Sequence, residues 1–438
     1  MLASFAIGLL LLSTQACAFV LLPTTSTSKI DKVVVAHFMV CNTYTYSITD
    51  WERDFALAAS KGIDGFALNI GYDSWYPDKV RDAYIAAANT GGAFKLFISF
   101  DMTSFPCMAP EHGNIIREYI NTYYVHPNQL LYNSHPLVST FGGQHCTFGT
   151  GNLNDGWSSV LKREMRPNHF IPAFFMSPSD FAGYPVMDGA FNWNSGWPPA
   201  GDDITFDRDA EYVNNLGGRS YMAAMSPWFF THYGANTYNK NFIFRGDDWL
   251  VASRWESILE HRSSVDLVEI ITWNDYGESH YVGPIEGSQP GSESWVNGFD
   301  HTAWLDIMQY YITAFKTGAF PAVSADRIFL WARLYPAGAD APDSIGRPFN
   351  WQFTQDYLWA FVFLAAPAEI TLTCGPSSET KSALRGVVKM KLLLSQTCDV
   401  SAAISRGGLT IVKLAPEGFR FRTDPPMYNF NAFVAASP

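Results

Sequence analysis

Two carboxylates three residues apart, Asp275 and Glu278, stand in the run Ile271–His280, ITWNDYGESH. A β-branched stretch enters this run, and Trp273, Asn274, Tyr276 and His280 crowd around the acids. Two acids in one turn can point into one cleft. Hydrolysis of an acetal such as a glycosidic bond needs such a pair: one carboxylic acid protonates the leaving oxygen while a second carboxylate acts opposite it. The two groups are ~6.5–9.5 Å apart when water attacks directly and ~5–5.5 Å apart when the second carboxylate is the nucleophile. A third acid, Asp101, ends the apolar run KLFISFD. Each acid also has a plainer reading. Asp275 could cap a helix, Glu278 could be a solvated loop charge, and Asp101 could cap a helix or bind backbone amides.

Elements that would position these acids are legible upstream. From Lys32 apolar runs alternate with amphipathic ones: VVVAHFMV then ITDWERDFALAASKG, DGFALNIG then PDKVRDAYIAAANTGG, KLFISFDM then NIIREYINTYYV. The alternation continues through PLVSTFGG, HFIPAFFM, MDGAFNWN, RSYMAAMSP and DLVEIITWND, and HTAWLDIMQYYITAFKTG closes it. Eight strand–helix units over roughly 290 residues predict a (β/α)8 barrel of the TIM type across 30–320. An open doubly wound sheet is the rival, but no glycine-rich phosphate loop follows the first strand. In a parallel barrel chemistry sits at the carboxyl ends of the strands. Those ends carry Asn42 and Tyr44, Asn69, Asp101, then Asn192, Trp193 and Asn194, then Trp228 and His232, and finally Asp275 and Glu278. Candidate substrate contacts are therefore Asn69, Asn192, Trp193, Trp228, His232, Trp273, Asn274, Tyr276 and His280. Tryptophans can stack on pyranose faces, though for any single one packing is the commoner role, and histidines such as these are more often structural than catalytic. No metal-binding spacing of the HExxH or CxxC type occurs, so no metal is expected.

The remaining composition narrows the class. The 438 residues carry a formal charge of −12 with no basic run, which argues against nucleic acid and anionic membrane as partners. Aromatic residues reach 16%, suited to a large core and to stacking ligands. Residues 1–18, MLASFAIGLLLLSTQACA, read as a secretory leader cleaved after Ala18. In an oxidising compartment Cys107 is expected to pair with Cys146 and Cys374 with Cys398, leaving Cys41 as a free thiol. The segment 321–350, with LYPAGADAPDSIGRP, reads as a linker or long loop. From 351 to 438 short strands and turns such as SRGG predict an antiparallel β-sandwich.

The stretches AHFMVCNTYTY, GIDGFALNIG, KLFISFDM, FNWNSGWP and above all TWNDYGESHYVGP resemble glycoside hydrolase family 71, the fungal α-1,3-glucanases or mutanases. The likeness extends to TDPPMYNFNAFV near the C-terminus. It implies endo-hydrolysis of α-1,3-glucan with inversion, without metal or organic cofactor. With the leader, the expectation is a secreted monomer whose partner is the polysaccharide. By motif its essential carboxylates fall on Asp275, Glu278 and Asp101. Glu278 is assigned as general acid and Asp275 as the base activating water, with Asp101 supporting them or exchanging roles. Cys41 departs from the small residue expected in AHFMVCNTY. Exo-action, hydrolysis of another α-glucan, and a non-catalytic wall-binding protein are the alternatives.

Overall fold

The computed structural model describes residues 32–438; the leader read at 1–18 lies outside the described residues. The fold is mixed α/β, a curled parallel sheet followed by antiparallel sheets. Eight parallel strands carry the first part: β1 (Val33–Met39), β2 (Gly65–Ile70), β3 (Lys95–Asp101), β4 (His135–Phe141), β5 (His169–Phe170), β6 (Gly189–Asn192), β7 (Ser220–Met225) and β8 (Leu267–Ile270). Their spatial order is β5-β4-β3-β2-β1-β8-β7-β6, which is cyclic sequence order opened between β5 and β6. The seam has a chemical cause. Pro172 interrupts HFIPAFFM and has no N–H to donate, so β5 is short and no ladder forms. Two backbone bonds cross instead, Asp188 N to Phe170 O and Phe191 N to Pro172 O, both 2.9 Å.

Helices follow seven of the strands: α1 (Ile48–Ser60), α2 (Tyr76–Asn89), α3 (Gly113–Tyr123), α4 (Leu153–Leu161), α5 (Asp207–Asn215), α6 (Leu250–Glu260) and α7 (Ala303–Thr317). After β5 there is only a 3-10 segment, Pro178–Gly183. Local sequence explains the boundaries. The Asp50 carboxylate accepts from Ser47 N at 2.7 Å to open α1. Pro77 sits in the first turn of α2, where its missing N–H costs nothing. Gly318, at φ +83°, ends α7 in the left-handed conformation.

The strands are buried on both faces, and their two-residue period sorts them. Val34, Ala36, Phe66, Leu68, Leu96, Ile98, Val268 and Ile270 pack outward against the helices. Val35, Ala67, Phe97, Leu137, Met222, Leu267 and Ile271 form a separate inner cluster. The same alternation continues the inner face toward the carboxyl ends through His37, Asn69, Ser99, Asp101 and Glu269, so the interior turns polar as it approaches the mouth. His37 Nδ1 and Glu269 Oε1 meet at 2.6 Å in that layer.

The second part differs from expectation at its start. Instead of linker, the 321–350 stretch contributes β9 (Arg327–Ala332), a buried strand. The LYPAGADAPDSIGRP loop begins only after it. β9 pairs antiparallel with β10 (Tyr357–Leu364), which pairs with a strand at Gly386–Leu393; the last strand, Phe433–Ala436, completes this sheet beside β9. A second antiparallel sheet is built on Ala368–Cys374, Ser377–Ala383, Cys398–Arg406 and Leu409–Leu414. Alternate residues of β10 face different partners. Leu358, Ala360 and Val362 share a cluster with Ile370, Leu372, Val400 and Ile404 of the second sheet. Trp359 and Phe361 face the helices, with Trp359 set edge-on to Trp249 at 4.9 Å. Cys107 is bonded to Cys146 and Cys374 to Cys398, as paired above, and Cys41 is a half-buried free thiol.

Residues 32–438 belong to one unit, and the C-terminal segment is stitched into the first part. Trp228 Nε1 donates to Phe430 O at 2.9 Å, His301 Nε2 meets Ala432 O at 2.9 Å, and Asn431 Nδ2 reaches Trp295 O at 2.9 Å and the Tyr281 hydroxyl at 3.2 Å. Among the described residues no helix is long and apolar enough to cross a membrane.

Candidate active site

The loop leaving β8 carries the two acids and is held by its own backbone. Thr272 N donates to His280 O, Val282 N to Thr272 O and Gly283 N to Trp273 O, at 2.8–3.1 Å. Asn274 ties the loop to β1: its Oδ1 accepts from Met39 N at 2.7 Å and its Nδ2 donates to Met39 O at 3.1 Å. Thr272 Oγ1 accepts from Asp275 N at 2.8 Å, and a 3-10 turn, Tyr276–Glu278, sets the three-residue spacing of the acids. Gly277 lies against Tyr233, whose hydroxyl would be 2.3 Å from an added Cβ, so only glycine fits there. The peptide Ile271–Thr272 is cis.

Asp275 and Glu278 are each 21% exposed at the side chain, and His280 is fully buried beneath them. His280 Nε2 lies 3.4 Å from Asp275 Oδ2 and 3.5 Å from Glu278 Oε2. Trp197 and Phe229 hold the imidazole, with ring centroids 5.6 and 5.3 Å away. Lys240 Nζ approaches Glu278 Oε1 at 3.0 Å. One ligand atom from each of Asp275, Glu278 and His280 lies within 4.8 Å of the other two. These surroundings drive the two acids apart. Burial raises the Glu278 carboxyl above its ordinary range and the Asp275 charge adds to that, outweighing His280 and Lys240. Burial opposes ionisation of Asp275 too, yet His280, Lys240 and the Glu278 backbone N–H together hold it below the usual carboxylate range. Glu278 thus holds its proton more tightly than Asp275 does.

Asp101, at the end of β3, is half-buried. Its Oδ1 accepts from Thr103 N at 3.0 Å and Thr103 Oγ1 at 2.6 Å. Burial pushes the Cys41 thiol up to about 12, and the charges of Asp275 and then Asp101 push the same way. Asp101 is also felt at Lys240. Cys41 and Lys240 each feel both Asp275 and Asp101.

Several expected substrate contacts are internal. Trp273 is buried and donates to Asp54 Oδ1 at 3.0 Å. Tyr276 is buried, its hydroxyl between Pro284 O and Glu286 N at 2.9 Å each. Asn274 spends its amide on β1. Trp228 is buried against Trp304 and bonded to Phe430. His232 is buried, Nδ1 against Asn241 at 2.8 Å and Nε2 against Asp343 at 2.8 Å. Buried rings and amides with their polar atoms already engaged cannot offer a face to sugar, so these five are corrected to positioning residues. Asn192 is buried with Nδ2 on Arg208 O at 3.1 Å, and Asn69 is buried at the end of β2. Trp193 keeps an accessible part and stands edge-on to His37 and Phe141 at 4.9 Å each.

Exposed rings lie elsewhere on the same rim, in segments that follow strand ends. Tyr44, Tyr72, Phe175 and Tyr238 are 65%, 51%, 39% and 60% exposed. Each is braced edge-on by a second ring: Tyr44 by Trp75, Tyr72 by Phe105, Phe175 by Phe141 and Tyr238 by Tyr233, at 4.7–5.7 Å. An edge-on brace fixes a ring and leaves a flat face open. Of these only Tyr44 stood out from the strand ends; Lys240 gave no signal beyond being a lone charge in a loop.

Residues 30–438 match the family model described as Glycosyl hydrolase family 71. A glucan endo-1,3-alpha-glucosidase of Schizosaccharomyces pombe is 39% identical over 92% of this chain and 94% of its own. A mutanase of Penicillium rubens is 34% identical over 93% and 89%. Among solved structures, a GH99 endo-alpha-mannosidase from Bacteroides thetaiotaomicron superposes with a TM-score of 0.50 at 12% identity, covering 67% of this chain and all of that one; this likeness bears on the fold alone.

Proposed function

The chain belongs to glycosyl hydrolase family 71, and from that premise and its site we propose a secreted, endo-acting hydrolase of α-1,3-glucan that works as a monomer at or beyond the cell wall. The observation that carries the reading is the pair Asp275 and Glu278, partly open at the sheet's mouth, with proton affinities driven in opposite directions. Glu278, kept protonated, donates to the leaving glucosyl oxygen; Asp275, kept ionised, takes the proton of the attacking water. Water's oxygen bonds to the anomeric carbon as the old C–O bond breaks, and the product's new hydroxyl has β configuration. Carboxyl groups alone supply this chemistry, so the reading calls for no metal or organic cofactor. The curled sheet is read as a (β/α)8 barrel closed at the Pro172 seam, and the two antiparallel sheets as a β-sandwich that braces it.

A second reading of the base rests on one observation. Oxygens of Asp275 and Glu278 within 4.8 Å stand closer than the ~6.5–9.5 Å that admits a water between opposed carboxyls. Asp101, with Oδ1 tied to Thr103, is then the base across the mouth, and Asp275 serves to hold the proton on Glu278. Azide rescue separates the two: the variant lacking the true base, Asp275→Ala or Asp101→Ala, recovers turnover and yields a β-glucosyl azide.

Assay of the purified protein on α-1,3-, α-1,4- and β-1,3-glucans, with the fresh anomer read by NMR, tests the whole reading. Cleavage of α-1,3-glucan alone to a ladder of β-anomeric oligomers is expected. A uniform small product overturns endo-action, and an α-anomer overturns inversion. The pH profile follows from the two shifts. Activity needs Asp275 ionised and Glu278 protonated, so kcat is bell-shaped, with Asp275 setting a rising limb below the usual carboxylate range and Glu278 a falling limb above it. Asp275→Glu retains a carboxylate and a bell; Lys240→Met removes a cation that favours the Glu278 anion and moves the falling limb to higher pH. Tyr238→Ala is expected to raise KM on long glucan about 2–10-fold, the equivalent of one aromatic contact, with kcat preserved.

A further inference from the structure

His280 is the one group in the cleft whose surroundings do not suit an ordinary buried histidine. It is fully buried, and neither ring nitrogen completes a well-directed hydrogen bond. Its Nε2 is aimed between two carboxylate oxygens, 3.4 Å from Asp275 Oδ2 and 3.5 Å from Glu278 Oε2. Those separations are long for charge-assisted hydrogen bonds, which run ~2.7–2.9 Å. They match another geometry. Donors held tetrahedrally ~2.0–2.1 Å from a zinc-type ion stand about 3.3–3.4 Å from one another. The two carboxylate oxygens lie within 4.8 Å of each other and close to that edge by a small side-chain rotation. The ring itself is fixed by Trp197 and Phe229, and a fourth position faces the cleft, where both acids are partly exposed.

We propose that Asp275, Glu278 and His280 form a binding site for a divalent transition cation of the zinc and copper class, and that its occupancy shuts the enzyme off. The proposal shares its side chains with the catalytic reading above, but binding can be measured with no glucan present. One nitrogen and two oxygens suit a borderline ion; magnesium and calcium demand six or more oxygen ligands, which are not gathered here. A bound ion draws the lone pairs of both carboxylates, leaving neither a proton to donate nor a base to receive one. Two features make the site regulatory in strength. Nδ1 of His280 has no carboxylate or carbonyl behind it among the described residues, the support that resident metal centres give their histidines. Lys240 Nζ, 3.0 Å from Glu278 Oε1, puts a positive charge at the ion's edge. Occupancy is therefore reversible.

Calorimetric titration of the full chain with zinc chloride, and visible spectra with cobalt chloride, test this directly. One zinc per chain is expected, an intense four-coordinate cobalt band, and no competition from magnesium or calcium at about 100-fold excess. His280→Gln, with its folding checked by circular dichroism, should weaken zinc at least about 10-fold, and Lys240→Met should tighten it. Inhibition of glucan hydrolysis should half-saturate where binding does and be lifted by a chelator. Zinc affinity unchanged in both His280→Gln and Glu278→Gln, or no binding at millimolar zinc, overturns the site. Binding that leaves hydrolysis intact overturns the inhibitory role. Failure of the glucan reading would appear as no hydrolysis before zinc is added, and the isotherm decides independently of it.

Discussion

Replacing Glu278 with glutamine lowers kcat on α-1,3-glucan by about 10²–10⁴-fold, the contribution of a positioned proton donor, and spares an aryl α-1,3-oligoglucoside with a good leaving group. The amide keeps the shape of the side chain, and its carbonyl can still accept from Lys240, so KM and melting temperature should hold. What it cannot do is hand a proton to the departing oxygen. A nitrophenolate leaves without one, and the penalty shrinks. Asp275→Asn should behave differently, losing comparable activity on both substrates, because attack by water is needed in either case. Steady-state kinetics of both variants on both substrates check this. Equal losses for Glu278→Gln on glucan and on the activated substrate would remove Glu278 from the acid role.

The largest expected effect on stability comes from Arg254 on α6. Its guanidinium is fully buried and meets Asp209 through two bonds, Nη1 to Oδ2 at 2.7 Å and Nη2 to Oδ1 at 2.6 Å. Nε donates to Ala224 O on β7 at 2.9 Å, and Nη2 also reaches Ser195 Oγ at 2.9 Å. The Tyr221 hydroxyl completes the coordination of Asp209. One arginine thus joins a helix, a strand and the turn after β6 that carries Trp193 and leads to Trp197. Arg254→Met fills much of the same volume but strands the Asp209 carboxylate in apolar surroundings, at a cost of about 3–5 kcal/mol. Equilibrium denaturation in urea measures it. Adding Asp209→Asn should return part of the loss, since the uncompensated charge destabilises the fold more than the missing bonds do. Loss of support under Trp197 should also reach His280 and lower kcat at temperatures where the variant stays folded.

The parallel sheet was legible because its strands are buried on both faces and read as unbroken apolar runs, each followed by a helical period. The acids were legible for a local reason as well: they sit three residues apart in one turn that the chain forms by itself. The identity of the sugar-facing rings was not legible. Trp273 and Trp228 lie next to the acids in sequence or at a neighbouring strand end, yet their burial is decided by Asp54 and Phe430, 219 and 202 residues away. Of the open rings, Tyr72 and Tyr238 sit in polar loops where composition predicts nothing about exposure, and Phe175 is hidden in the apolar run HFIPAFFM. Lys240 reaches Glu278 only because a short hairpin, Phe230–His232 with Asn241–Ile243, folds toward the mouth. β9 was absorbed into a supposed linker because the proline- and glycine-rich stretch after it dominated the composition, although RIFLWA is ordinary buried strand.

The stitching of the C-terminal segment has a consequence for biosynthesis. Asn431 and Ala432 hold Tyr281 and His301, and Tyr281 directly follows His280 in the loop that carries both acids. A nascent polypeptide on the ribosome can curl its parallel sheet early, but Asn431, which braces this loop, is made 150 residues after the Tyr281 it holds. The loop therefore gains its brace only when residues 431 and 432 have emerged, and a chain truncated before them has its acids present and its scaffold unfinished.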